Sequence, residues 1–98
     1  MAAMNVYRSD FVETRLEEHD PRFSSLVLFN AQLERLFDGC RWLEGPVWIG
    51  DQQRLLVSDI PNDRILAWDE VQGLSVFRHN AGFPNGQTRD RQGRLPTC

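Results

Sequence analysis

GPVWIGDQQRLLVSDIPNDRILAWDEVQGLSVFRHN, residues 45–80, is a series of short apolar runs separated by turn residues. Val47, Trp48 and Ile49 precede Gly50 and Asp51. Leu55, Leu56 and Val57 lead into Pro61, Asn62 and Asp63. Ile65, Leu66, Ala67 and Trp68 stop at Asp69, ahead of a turn near Gly73. Leu74, Val76 and Phe77 alternate with polar residues up to Asn80. Runs of four to six residues, about ten apart and bounded by Gly, Pro, Asn and Asp, are the mark of consecutive antiparallel strands joined by tight hairpins. Little in the stretch has the 3.6-residue period or the length of a helix. The spacing predicts strands at 45–49, 54–58, 64–68 and 74–78 in one sheet. It also predicts 86–90 and 94–98 opening a second sheet, and a further strand at 33–37.

A weak repeat runs through this region. Shifted by forty residues, Gln52, Gln53, Arg54 and Leu55 fall on Gln92, Gly93, Arg94 and Leu95. Four short strands between two such copies fit a β-propeller, whose four-stranded blades recur about every 40–45 residues. Residues 45–78 then form one blade, 85–98 begin the next, and 33–37 is the strand that closes the ring by pairing with the last blade. A closed ring needs about 4–8 blades, so the 98 residues supply about one and a half and read as an N-terminal fragment. The fold class expected is all-β, with residues 33–98 as a partial propeller preceded by an irregular or helical arm over residues 1–32. Within that arm, Phe11, Val12 and Leu16 suggest a short helix between Arg8 and Glu18, ended by Pro21. Residues 26–29 suggest an extended stretch.

Composition narrows the function classes. The chain is 41% hydrophobic and 26% charged, which argues against wholesale disorder. All eleven basic residues are arginine, but acids interleave with them throughout and the net charge is -3. No basic patch for nucleic acid results. No apolar run exceeds four residues, against the ~18 of a membrane helix, and the first residues have no signal-peptide core. A cytoplasmic chain is expected. Cys40 and Cys98 fit reduced thiols there, a disulfide between them being the alternative. Two cysteines with no nearby histidine make a poor zinc site.

Four motifs carry a resemblance: LERLFDGCRWLEGPVW at 33–48, SDIPNDRI at 58–65, SVFR at 75–78 and AGFPNGQTRDRQGRL at 81–95. In order and spacing they resemble the gluconolactonase, senescence-marker-protein and luciferin-regenerating-enzyme family. The resemblance implies a six-bladed β-propeller with one divalent metal, commonly calcium, in its central channel. Many members hydrolyse sugar lactones. By that resemblance Glu44, in its Glu-Gly-Pro-x-Trp motif, is a metal ligand. Asn85 is a substrate-binding residue that points into the pocket and touches substrate or a metal-bound water. Oxygen donors of this kind suit a hard cation. Two positions depart from the pattern. Phe83 stands where one branch of the family carries arginine, and Pro96 where a β-branched residue is usual.

The expected function is the N-terminal part of a metal-dependent sugar-lactone hydrolase, inactive as these 98 residues alone, since no complete catalytic set is present. A non-catalytic calcium- or partner-binding propeller, or an inert fragment, is the alternative. The other prominent side chains read as structural. Asp59 and Asp90 suit turns closed on their own backbone. Trp42, Trp48 and Trp68 suit blade packing. His19 and His79 suit the surface.

Overall fold

The structure, a computed structural model, describes residues 11–12, 16–28 and 30–98. The chain divides after Asp38 into two compact units. In the first, β1 (Phe11–Val12) pairs antiparallel with β2 (Leu33–Glu34). A 3-10 helix, Pro21–Ser25, lies between them in the chain.

This N-terminal part differs from the sequence reading. Phe11–Val12 is strand rather than helix, because Phe11 pairs with Glu34 and Val12 with Leu33, far along the chain. The rest of the expected helix, apart from the non-helical residues 16–18, lies outside the described residues. Pro21 opens a helical turn instead of closing one. Its fixed φ suits a first helical position, and the Asp20 side chain caps the turn by accepting from the Arg22 N–H at 2.8 Å. Leu26 then serves as the C-cap of that turn, not as the start of an extended run. Within 33–37, only Leu33–Glu34 is strand.

The second unit holds the predicted sheet. Strands β3 (Leu43–Ile49), β4 (Arg54–Asp59), β5 (Arg64–Asp69) and β6 (Gly73–His79) lie antiparallel in chain order. The turns follow from local chemistry. Gln53 and Asp63 take left-handed φ values of 51° and 50°. Asp69 Oδ1 accepts from the N–H groups of Val71 and Gln72 at 2.8 and 2.7 Å, which closes the last hairpin as an Asx turn onto Gly73. Register then sorts the side chains. Val47, Leu56, Ala67 and Ser75 are successive cross-strand partners and share one face. On that face Ile49, Leu56, Ile65 and Ala67 form the buried cluster, with Val47, Ala81 and Leu95 packed against it. A bulge in β6 between the partners of Ile65 and Leu66 leaves Phe77 as the extra residue. Its ring lies 5.1 Å from the Arg54 guanidinium, a cation–π contact.

Residues 85–98 form a hairpin rather than two full strands. The Asn85 N–H donates to the Cys98 carbonyl at 2.8 Å, Thr88 to Pro96 at 3.1 Å and Asp90 to Arg94 at 2.9 Å. Only Gln87 and Thr97 make a sheet-like bridge. Pro96 is accommodated because it contributes only its carbonyl. Cys40 and Cys98 are not joined in a disulfide. Among the described residues no helix is long and apolar enough to cross a membrane.

Asp59 ends β4 with none of its surface exposed. Its Oδ1 accepts from the N–H groups of Arg41 and Trp42 at 3.0 and 3.2 Å. Its Oδ2 accepts from Asn62 Nδ2 at 2.8 Å and from Arg64 Nε and Nη2 at 3.0 and 2.9 Å. Burial alone pushes the carboxyl pKa up. The donations from Asn62, from the Arg41 and Trp42 backbone and from Arg64 outweigh it and hold the pKa down at about 2. A folded-state pKa below the ordinary 3.8 contributes stability that is present above that value and lost as pH falls from 3.8 towards 2. The expected loss is about 2 kcal/mol. Asp59→Asn keeps the shape but turns an NH2 group towards donors. It should cost about 3–5 kcal/mol at pH 7 and flatten the acid limb of the stability curve. Urea melts between pH 6 and 2 on both chains test this. A variant as stable as the parent would show that the carboxylate does not hold the sheet together.

Candidate functional site

Glu44 lies in β3 opposite Ser58, and between Glu44 and Val47 the register with β4 shifts. Gly45 and Pro46 occupy that bulge. Gly45 has a φ of 61°, a conformation glycine adopts freely and other residues do not. Space imposes a second demand. A Cβ on Gly45 would overlap the Asn85 carbonyl oxygen and lie 3.1 Å from the Gly86 Cα. Glycine therefore lets the backbone beside Glu44 rest directly on the backbone of Asn85.

Two side chains fasten this contact. Ser58, fully buried, donates its Oγ–H to the Asn85 carbonyl at 2.8 Å. Gln87 donates its Nε2–H to the Gly45 carbonyl at 2.8 Å. The strand that carries Glu44 and the segment that carries Asn85 are thus held together by residues 58 and 87, neither of which the sequence reading singled out. Ser58 sits inside a motif that was quoted. Gln87 has a fainter signal, a polar residue two positions after Asn85 and hence on the same side of an extended chain.

The two candidate residues are exposed. Glu44 Oε1 accepts from the Trp42 indole N–H at 3.2 Å. Among the described residues it has no cationic partner. Trp42 is 62% exposed, so its position beside the carboxylate, rather than core packing, describes it. Trp48 is likewise exposed, and Trp68 is half-buried. Asp90 closes its own hairpin as expected, accepting from the N–H groups of Gln92 and Arg94. Asp59 does more than close a turn, since two of its donors lie 17 and 18 residues back in the chain. His79 is exposed, and the exposed His19 pairs with Glu17.

Phe83, next to the site, has a φ of 55°, an outlier for a bulky residue. The Asp63 carboxylate holds it there by accepting the Phe83 N–H at 2.5 Å. The Asp63 carbonyl accepts the Ala81 N–H at 3.3 Å, and Pro84 behind it is fully buried. The approach to Asn85 is therefore set by the β4–β5 turn. The apolar hollow lined by Leu16, Leu26 and Leu33 lies within residues 1–38 and contains none of the candidate residues.

As a cation site the arrangement offers the Glu44 carboxylate and the Asn85 amide, both hard oxygen donors. Among the described residues no three carboxylate, imidazole or thiol groups converge. A calcium ion takes about 6–8 oxygens, so these residues fit one part of a coordination shell and not the whole of one.

Comparison with known proteins points one way. A solved gluconolactonase of Xanthomonas campestris superposes with a TM-score of 0.66 at 38% sequence identity, over 70% of this chain and 23% of its own. A structural-genomics target, provisionally named a gluconolactonase, gives a TM-score of 0.71 at 34% identity, over 82% and 28%. The chain is a relative of the gluconolactonases. The gluconolactonase of Zymomonas mobilis agrees, at 29% identity over 78% of this chain and 22% of its own length. The chain thus spans about a quarter of the length of these relatives. No family model matches it.

The Gly45 contact is testable in these 98 residues. Gly45→Ala forces a left-handed alanine and an overlap with Asn85, and should cost at least about 2 kcal/mol. Gly82→Ala serves as the control, because Gly82 has a φ of 84° but nothing within 4 Å of an added Cβ. It should cost only the conformational part, about 1 kcal/mol. Equal urea midpoints for the two variants would show that the approach to Asn85 is looser than described.

Proposed function

We propose that the chain supplies the first blade, and the start of the second, of a six-bladed propeller that hydrolyses a sugar lactone with a divalent metal, calcium foremost. The observation that carries this reading is the glycine bulge that brings the backbone next to Glu44 against the backbone of Asn85, in a chain related to gluconolactonases. In this reading Glu44 holds the metal. The Trp42 indole restrains the exposed Glu44 through one oxygen. The Asn85 amide, which can both donate and accept, orients the hydroxyls of the substrate. A bound divalent ion would polarise the lactone carbonyl and lower the pKa of a bound water. Asp59 and Ser58 act at a distance from the chemistry by fixing the two segments.

The test is a hybrid enzyme. Residues 39–98 replace the matching segment of the Xanthomonas gluconolactonase, and gluconolactone hydrolysis is followed with and without calcium. Metal-dependent turnover is expected. Glu44→Gln, which keeps the shape and removes the charge, should weaken calcium binding and activity together by at least about tenfold, or 1.4 kcal/mol. A hybrid that binds calcium without turnover would instead favour a non-catalytic calcium-binding propeller. Calcium affinity unchanged by the substitution, measured by calorimetry, would remove Glu44 from the shell. The 98 residues alone should give no calcium-dependent hydrolysis above buffer, because one carboxylate and an open pocket neither hold the ion firmly nor orient a substrate.

A further inference from the structure

We propose that Gln87 is a positioning residue that fixes the carboxylate of Glu44 relative to Asn85. The proposal rests on the reading of Glu44 as a cation ligand. At the bulge, Gly45 and Pro46 have no Cα partners in β4. A side chain 42 residues further on reaches this point: Gln87 Nε2 donates to the Gly45 oxygen at 2.8 Å. This sets the Gly45–Pro46 peptide plane, one residue beyond Glu44. Backbone contact between Gly45 and Asn85 is the other side of the same clamp.

The orientation of the Gln87 amide is dictated by its partner, since a carbonyl accepts only from the NH2 end. That leaves Gln87 Oε1 buried, with no donor among the described residues. A buried acceptor left unpaired costs about 1–3 kcal/mol. An apolar residue of similar length would avoid that cost and fill the same space. A half-buried glutamine that bears it is therefore poorly explained by packing alone, and its one hydrogen bond goes to the bulge that carries Glu44.

Two measurements on the 98-residue chain test this. The first needs no substitution. By NMR, the Gln87 side-chain amide protons should exchange with solvent more slowly than those of Gln52 on the exposed β3–β4 turn. Equal rates would overturn the clamp. The second uses terbium, a trivalent oxygen-seeking ion, excited through tryptophan. Trp42 is hydrogen-bonded to Glu44, so an ion at that carboxylate lies beside a sensitiser. Glu44→Gln should abolish the signal, and a signal unaffected by it would sink the Glu44 reading itself. With Glu44 intact, Gln87→Ala and Gln87→Glu should each weaken terbium binding by about tenfold, the loss usual for partners that orient a ligand. Gln87→Glu separates positioning from charge. It adds a negative group that would by itself attract the ion, yet it removes the donor to Gly45. Equal or tighter binding by Gln87→Glu, with Glu44→Gln still silent, would overturn the positioning role and leave Glu44 as a ligand. If either Gln87 variant loses the β-sheet circular dichroism of the parent, or the parent takes up no terbium, the exchange rates of the unmodified chain decide.

Discussion

Asp59 carries a negative charge with none of its surface in water, and five N–H donors converge on its two oxygens. A buried carboxylate without partners would cost several kcal/mol, so its donors must hold their places. Arg64 and Asn62 fix the β4–β5 turn from within. The Arg41 and Trp42 N–H groups bring in the segment that leads into β3. Because β3 is an edge strand paired only with β4, this anchor at its entry sets where Glu44 stands.

From that anchor the site is built by backbone contact rather than by side-chain packing. Ser58, next to Asp59, reaches the Asn85 carbonyl, and Gly45 lies against the same oxygen. A bulge is what makes this possible. A regular strand would present its residues to alternate faces and keep its carbonyls in the ladder. Gly45 and Pro46 together face one residue of β4, and this one extra residue interrupts the ladder locally. The exposed Glu44 and Asn85 thus owe their placement to buried neighbours.

The sequence reveals these parts unequally. The four strands were legible from β4 and β5, where short apolar runs end at Asn62 and Asp63 or at Asp69 and Gly73. The local turn chemistry there agrees with the final fold. Phe11 and Val12 were misread because two apolar residues fit a helix as well as a strand. Their choice is made by Leu33 and Glu34, a pairing no local pattern reports. Pro21 was misread because proline both ends helices and begins them. Glu44 and Asn85 were legible only through motif resemblance, since an exposed carboxylate and an Asn-Gly pair suit ordinary loops. Asp59 looked like a turn residue because half of its partners are near in sequence. The other half, Arg41 and Trp42, are near only once the sheet forms.

The distribution of charge bears on why Glu44 stays available. The arginines near the hairpins are engaged by other acids: Arg64 by Asp59, Arg89 by Asp51 and Arg94 by Asp90. Arg54 lies over the Phe77 ring. Glu44 instead meets a neutral indole. A guanidinium at position 42 would grip both carboxylate oxygens with its planar fork and cancel the charge a cation would seek. An indole N–H has one proton to give, so it restrains one oxygen and leaves the negative charge uncancelled. In a chain whose basic residues are all arginine, a tryptophan at this place keeps the carboxylate oriented and electrostatically open at once.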